Sequence, residues 1–205
     1  MLYDPIIKQL GMASYVTVMD DMKNYTQHRT PNSPDQIWCV EHPPVFTQGR
    51  HGKPEHIITK THNIPIVQSD RGGQITYHGP KQAIIYFMLD LKRGKSGIKQ
   101  LVCDIEDSTI KLMKSYNLNP HLIDGSPGVY IKNKKIASLG LRVKHGKTYH
   151  GLSINVDMDL TPFSHINPCG YAGLEICNMS DFIKNVTMNE VFKKYIAIFI
   201  SKYST

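Results

Sequence analysis

The stretch that most constrains this fold is residues 71–91, RGGQITYHGPKQAIIYFMLDL, where a polar glycine-rich segment runs directly into an apolar one. Residues 83–89 are seven apolar side chains without a break. A run of this length, bounded by turn residues and rich in isoleucine and aromatic residues, predicts a strand that is buried on both faces. It is too short to cross a bilayer.

The polar segment before this strand has the features of a binding edge. Gly72 and Gly73 allow positive φ and let a ligand lie against bare backbone amides. If residues 74–78 are extended, alternate side chains face opposite sides of the strand. One face then carries Gln74, Thr76 and His78, and the other carries Ile75 and Tyr77. We interpret the segment as a binding edge fixed to a rigid core; a surface hairpin with glycine turns is the alternative.

Length and composition are those of an ordinary globular protein. The 205 residues, 40% apolar and 20% charged, without repeats or low-complexity tracts, predict one domain over residues 1–205. The 24 Lys and Arg residues exceed the 17 Asp and Glu residues, a formal charge of +7 that favours an acidic partner or a nucleic acid. The basic residues are scattered, so a dedicated nucleic-acid arm is not expected.

The N-terminus and the cysteines indicate a cytoplasmic location. The N-terminus lacks a basic region followed by a long apolar core, so no secretory signal is expected. Four cysteines without CxxC spacing predict free thiols in a reducing cytoplasm. The histidines form no HExxH motif and no Cys/His quartet, so no structural zinc site and no metal are expected.

The remaining pattern predicts helices at both ends and strands between them. The first helix is expected to bury Tyr15, Val16, Met19 and Met22, and Thr187 with Glu190 predicts a capping box at the start of the last helix. The predicted elements are a helix over 12–27, a loop over 30–35, short strands over 37–40 and 63–68, a basic loop over 92–97, a helix over 98–117 closed by Pro120, antiparallel strands over 129–131, 136–143 and 148–156, a helical turn over 161–166, a tight loop over 167–171 and a helix over 187–202.

Cys169 is the candidate nucleophile because its setting differs from that of the other cysteines. Pro168 fixes φ on one side and Gly170 frees it on the other, so the thiol is expected on a constrained turn. A thiol is mostly protonated near neutral pH and needs a base or cation beside it. Spacing leaves His78, His150 and Lys135 open as that partner, and a purely structural thiol is the alternative. Cys39, by contrast, is expected to be an inert core thiol.

Lys135 begins a predicted strand and can point inward. Ala137, Leu139 and Leu141 lie on its side of the pleat, and a lysine on an apolar face loses hydration and becomes a competent base. A hairpin lysine turned to solvent is the alternative. His150, which precedes a glycine at the start of a strand, is either a ligand edge or part of a turn.

Three motifs, in order and at matching separations, resemble the lipoate–protein ligase B family, the octanoyltransferases of protein lipoylation. They are RGGQITYHGPKQAIIY (71–86), KKIASLGLR (134–142) with HGLSINV (150–156), and NPCGYAGLE (167–175). The similarity extends from about His42 to Asp181. One departure is Lys81, where the family commonly has a second glycine after Gly-Pro.

The resemblance implies an α+β fold, a mixed and largely antiparallel sheet flanked by helices, like the catalytic domain of biotin and lipoate ligases. It places the family's nucleophile on Cys169 and its base on Lys135. Its acyl pocket and substrate contacts fall on Arg71, Gly72, Gly73, Gln74, Ile75, Thr76, Tyr77, His78, Ser138, Leu139, Gly140, Gly151, Leu152 and Ser153.

The implied reaction is transfer of an octanoyl group from octanoyl-acyl carrier protein to a lysine of lipoyl domains through a Cys169 thioester. The acceptors would be 2-oxoacid dehydrogenase complexes and the glycine cleavage H protein. No cofactor, ATP, nucleic acid or membrane is expected, and the enzyme is expected to be a cytoplasmic monomer. We expect the oxyanion donors at Gly72–Gly73 or at the Leu139–Gly140 backbone. The rivals are an ATP-dependent lipoate or biotin ligase of the same fold and a basic nucleic-acid-binding domain.

Overall fold

The computed structural model describes residues 4–59, 61, 63–93 and 97–203, with Cys169 and Tyr203 described by their backbone only. Within these residues the chain forms three α-helices and ten β-strands. The helices are α1 (Tyr15–His28), α2 (Ile98–Lys114) and α3 (Met188–Tyr203). The strands are β1 (Ile6–Met12), β2 (Gln36–Glu41), β3 (Val45–Gln48), β4 (Ile66–Gln68), β5 (Ile75–His78), β6 (Gln82–Met88), β7 (Pro120–Ile123), β8 (Ser126–Ile131), β9 (Lys134–Lys144) and β10 (Lys147–Asn155).

The larger of the two sheets seen in the described residues has the strand order β1-β2-β6-β10-β9-β8-β7. Its β1–β2 pair is parallel and its other pairs are antiparallel. All residues of β6 are buried, as the unbroken apolar run predicts. The expected mixed, largely antiparallel sheet with flanking helices is confirmed.

Both faces of this sheet are covered, which is why β6 is apolar throughout. On one face, α1 packs its Tyr15, Met19 and Met22 side chains against Ile84 and other residues of the central strands. On the opposite face, α2 and α3 pack against a second apolar cluster that includes Ile85 and Phe87. Alternate residues of β6 therefore serve two separate cores.

A smaller sheet, of order β4-β3-β5, holds the glycine-rich segment beside the larger one. β5 pairs with β3 and not with β6, so the hairpin interpretation of this stretch is wrong. Ile75 and Tyr77 pack on Phe46 and Phe163 in a third apolar cluster. The other face of β5 is thereby left to Thr76 and His78.

Most predicted elements are confirmed, with specific corrections. The three successive strands after residue 125 pair as expected, and the backbone N–H of Glu190 bonds the Thr187 hydroxyl at the start of α3. Val16 is 44% exposed, so its predicted burial is wrong, and Val18 takes its place. The helix begins at Tyr15 rather than at Met12 because the preceding residues pair with β2 as β1.

β4 is shorter than the strand predicted over 63–68. Pro120 was expected only to end the preceding helix, but it is also the first residue of strand β7. The basic loop predicted over 92–97 lies partly outside the described residues, since 94–96 are not among them. None of the helices in the described part of the chain combines the length and apolar character needed to span a membrane.

Candidate active site

A cavity opens between the glycine-rich loop, β5 and the adjoining strands β6, β9 and β10. Its empty volume is about 500 Å³, counting the open space at its mouth. The lining includes most of the predicted contact residues: Arg71, Gly72, Gly73, Gln74, Thr76, His78, Ser138, Leu139, Gly140, Gly151, Leu152 and Ser153. The first two motifs therefore meet at one cavity, whereas Lys135 and the residues of the third motif are not part of its described lining.

Two predicted contact residues do not line this cavity. Ile75 and Tyr77 lie in the third apolar cluster instead, because neighbouring residues of an extended strand point in opposite directions. The cavity is also lined by residues outside the predicted contact set, which are Tyr15, Ile84, Tyr86 and His150. In the sequence, nothing distinguished Tyr15 from the other residues of α1 that were expected to pack in the core.

Arg71 fixes the glycine-rich loop. Its Nη2 donates to the hydroxyl of Thr47 on β3 at 2.8 Å, and its Nη1 donates to the carbonyl of Gly72 at 2.9 Å. The amide of Gly72 donates to the carbonyl of Leu141 at 3.1 Å. The predicted oxyanion role of the Gly72 amide is thus at odds with its geometry, since that N–H is already used.

Two buried histidines have fixed tautomers: His78, which lines the cavity, and His42, which is not part of its described lining. His42 donates from Nδ1 to the Ala13 carbonyl at 2.7 Å, so its Nε2 accepts from the Tyr86 hydroxyl at 2.8 Å. His78 donates from Nδ1 to the Gln82 side chain at 2.8 Å. Burial lowers the pKa of His42 to about 4 and that of His78 to about 3, so both are neutral near pH 7.

Asp70, which is partly exposed, and the buried His150 form a second polar unit at the cavity. His150 is 1% exposed and has φ of 60°, and its Nε2 lies 2.8 Å from Oδ1 of Asp70. The other carboxylate oxygen of Asp70, Oδ2, accepts from the Tyr149 hydroxyl. Although burial opposes it, these hydrogen bonds hold the pKa of Asp70 below its usual range. Burial lowers the pKa of His150 despite the opposing effect of Asp70. His150 lies within β10 and lines the cavity, so the interpretation of this residue as part of a turn is wrong.

Lys135 is 1% exposed, so the solvent-facing alternative for it is wrong. Its ammonium lies 5.3 Å from the centre of the Tyr130 ring. Its backbone pairs with the segment that follows the Pro-Cys-Gly loop: its N–H donates to the Glu175 carbonyl at 2.8 Å and its carbonyl accepts from Cys177 at 3.1 Å. The backbone of Lys135 is thus tied to the chain five to seven residues beyond Gly170.

The Pro-Cys-Gly loop is a single 3₁₀ turn, Pro168–Gly170. Gly170 has φ of 81°, and a Cβ placed on it would lie 2.2 Å from Nε2 of Gln74. The loop therefore packs directly on a side chain of the cavity wall. The backbone of Cys169 follows the predicted tight turn, while its thiol lies outside the described atoms.

The other cysteines have no comparable setting. Cys39 and Cys177 are buried, and burial raises the pKa of each to about 12, which makes them inert thiols. Cys103 is exposed on α2. In the part of the chain that the structure describes, no group of three or more His, Cys, Asp or Glu side chains could hold a metal ion.

Comparison with known proteins identifies the family of this chain. The model of the lipoyl protein ligase A/B catalytic domain matches residues 15–200. An octanoyltransferase of Francisella tularensis subsp. tularensis is 57% identical over 195 residues, covering 95% of this chain and 94% of that protein. An octanoyltransferase of Actinobacillus succinogenes is 49% identical over 205 residues, covering 95% and 93%.

A solved structure, lipoate-protein ligase A bound with ATP, superposes with a TM-score of 0.80 at 15% identity, covering 98% of this chain and 86% of that one. Identity this low shows the fold alone, and the fold agrees with the architecture described above. The match of the family model to most of the chain, together with relatives that are nearly half identical or more, leaves one conclusion. The chain belongs to the lipoyl protein ligase A/B catalytic-domain family.

Proposed function

We propose that this protein transfers the octanoyl group of octanoyl-acyl carrier protein to a lysine of lipoyl domains through a thioester on Cys169, with Lys135 as the base. The observation that carries the proposal is the backbone pairing of Lys135 with the segment that follows the Pro-Cys-Gly loop, on the strand, β9, that also contributes Ser138, Leu139 and Gly140 to the cavity. Octanoyl transfer is the activity named for relatives 49–57% identical over most of both chains, and this chain is an octanoyl-transferring enzyme.

In the first half-reaction the Cys169 thiol gives its proton to Lys135, and the thiolate attacks the carbonyl carbon of the octanoyl thioester. The bond between the carbonyl carbon and the sulfur of the carrier breaks. The carrier leaves as a thiolate, which takes the proton back from Lys135. The products are the octanoyl-enzyme thioester and the free carrier thiol.

In the second half-reaction the amine of the acceptor lysine attacks the enzyme thioester. The carbon–sulfur bond to Cys169 breaks, an amide forms, and Lys135 carries the amine's proton to the departing sulfur. One thioester is consumed and one amide is formed, so the balance requires no ATP and no cofactor. The backbone amides of Gly73 and of Leu139–Gly140 are our candidates for stabilising the oxyanion.

The setting of Lys135 supports this role. Once Lys135 has taken the thiol proton, its buried ammonium stabilises the thiolate more than an exposed lysine would, because water screens it less. The side chain of Gln74 against Gly170 supports a fixed position for the loop that carries the nucleophile. All the residues proposed for the acyl pocket except Ile75 and Tyr77 line one cavity, and Gln74 in its wall is the contact to that loop.

The proposed partners follow from the same chemistry. Acyl carrier proteins are acidic, and the formal charge of +7 favours their encounter at low salt. We propose the lipoyl domains of 2-oxoacid dehydrogenase complexes and the glycine cleavage H protein as acceptors. The whole chain, residues 1–205, is proposed to act as one catalytic domain, monomeric and cytoplasmic.

The experiment that tests the proposal uses purified enzyme, octanoyl-acyl carrier protein and an isolated lipoyl domain without ATP. We expect the lipoyl domain to gain one octanoyl group, measured by intact mass. The rival is an ATP-dependent ligase of the same fold. A requirement for ATP and free octanoate, with no transfer from the thioester, would overturn the proposal.

A further inference from the structure

A groove separate from the cavity described above runs between the β7–β8 hairpin and the segment that directly follows the Pro-Cys-Gly loop. Its empty volume is about 920 Å³, counting open solvent. The hairpin contributes Ile123, Asp124 and Tyr130 to its lining, and the segment contributes residues 171–175. Among the described residues, this hairpin groove and the cavity have no lining residue in common.

The hairpin groove adjoins the proposed reaction centre. Its lining segment begins two residues beyond Cys169, and the residue between them packs on Gln74 of the cavity wall. The ring of Tyr130, which lines the groove, has the Lys135 ammonium 5.3 Å from its centre. The N–H of Lys135 donates to the carbonyl of Glu175, the last residue of the lining segment. The loop that carries the nucleophile therefore contacts the cavity on one side and continues into the groove on the other.

The second half-reaction requires such a second route. The octanoyl chain occupies the cavity while it is held on Cys169, so the attacking amine has to reach the thioester carbon by another path. The hairpin groove supplies a path to the same loop without using any part of the described cavity lining. The apolar side chains of Ile123 and Leu174 and the Tyr130 ring suit the methylene stem of a lysine.

The charge of the groove favours a cationic occupant. Asp124 on the hairpin and Glu175 on the segment are both exposed and contribute a carboxylate each. Lys134 offsets one of them in part, with its Nζ 3.6 Å from Oε1 of Glu175. No Lys, Arg or His is found in the described lining, although the protein as a whole has a formal charge of +7. Such a groove attracts the ammonium of a lysine and repels the phosphate-bearing arm of an acidic carrier protein.

We propose that the hairpin groove admits the acceptor lysine of the lipoyl domain, whose ammonium is attracted by Asp124 and Glu175 before the amine reaches Cys169. This inference rests on the proposed function and assigns a docking surface to one of its two substrates. The acidic donor does not use this groove. Substitutions in it should therefore affect the second half-reaction and leave the first unchanged.

The test uses the full-length enzyme with Asp124→Asn and Glu175→Gln combined, which keeps the backbone pairing of Lys135 with residue 175. The octanoyl-enzyme is formed with octanoyl-acyl carrier protein and isolated, and its reaction with an isolated lipoyl domain is followed by rapid quench and intact mass. We expect the second-order rate constant to fall by about twofold to thirtyfold, the range for the loss of two partly exposed ion pairs. A higher salt concentration should narrow the difference from the wild type.

Two controls separate docking from damage to the reaction centre. Hydroxylamine is a small nucleophile that is neutral near neutral pH, so it should cleave the thioester at the same rate in the variant and the wild type. The combination of Asp20→Asn and Glu190→Gln, at exposed positions on α1 and α3, removes the same amount of charge and should transfer to the lipoyl domain at the wild-type rate.

Three results would overturn the inference: equal rates of transfer to the lipoyl domain in the two double variants, an equal fall in the hydroxylamine rate, or a change confined to acylation by the carrier relative to the control. The last result would assign the groove to the donor. If the wild-type enzyme forms no thioester on Cys169, the proposed function fails. If the thioester forms and one of the three results is found, only this inference fails.

Discussion

The buried histidines His42 and His78 should make the protein lose stability as the pH falls from 6.5 to 5. His42 and His78 are neutral in the folded protein, with pKa values of about 4 and about 3, against 6.5 for an unperturbed histidine. Because the folded pKa lies below the unfolded one, the unfolded chain binds protons first as the pH falls. The stability is therefore fully present above pH 6.5 and is lost progressively toward the folded values.

The size of the effect follows from these values. At pH 5 each unfolded histidine is 1.5 pH units below its pKa, while each folded one is still largely neutral. At 1.36 kcal/mol per unit, each histidine costs about 2 kcal/mol, and the pair costs about 4 kcal/mol. Carboxylates titrate mostly below pH 5 and add little to the loss between pH 6.5 and pH 5. The free energy of unfolding of a native protein is typically about 5–15 kcal/mol. The loss should thus be a large part of the total.

The assay is urea denaturation at pH 7.5 and pH 5, followed by far-UV circular dichroism. We expect the free energy of unfolding to be at least about 4 kcal/mol lower at pH 5, because the lowered pKa of His150 adds to the loss from the pair, and His42→Gln to remove about 2 kcal/mol of that difference. His28→Gln, at an exposed histidine on α1, is the matched control and should leave the difference unchanged. Equal stabilities at the two pH values in the wild type would refute the reasoning.

Two further predictions concern the proposed reaction centre. Gly170→Ala should lower the rate of octanoyl transfer by at least about tenfold, because the new Cβ would displace the side chain of Gln74 in the cavity wall. Gly173→Ala, at φ of 75° with nothing within 4 Å, is the control and should cost only about 1 kcal/mol of stability. Equal transfer rates in the two variants would contradict this prediction. Lys135→Ala should slow iodoacetamide alkylation of Cys169 by at least about tenfold near neutral pH, because the proposed base that takes the thiol proton is lost. Lys134→Ala, at the half-exposed neighbour, is the control, and an alkylation rate unaffected by Lys135→Ala would remove that lysine from its role.

The sequence predicted the elements whose pattern is strong and local. The apolar run of β6 identifies a strand covered on both faces, and the alternation in β5 separates Thr76 and His78 from Ile75 and Tyr77. β1 was missed because it is an edge strand with mostly exposed or half-exposed residues, so its pairing with β2 leaves little hydrophobic period to detect.

The site was predictable as a set of motifs but less so as a geometry. The family resemblance brought the glycine-rich loop, β9, β10 and the Pro-Cys-Gly loop into one list. The fold gathers residues of the first three around one cavity and places Gly170 against Gln74 in its wall. The position of His150 at the cavity depends on a positive φ and on a hydrogen bond to a carboxylate 80 residues away, and sequence spacing reports neither. The same holds for Tyr15, whose position in α1 is typical of an ordinary core residue.

The central claim is that Cys169 carries the octanoyl group between donor and acceptor. The most direct measurement is the mass of the enzyme after brief incubation with octanoyl-acyl carrier protein in the absence of acceptor, followed by peptide mapping. We expect one octanoyl group per chain, released by hydroxylamine, on the peptide that contains Cys169, and none on the Cys169→Ala enzyme. Full transfer to a lipoyl domain by Cys169→Ala, or the label on another residue, would contradict the account.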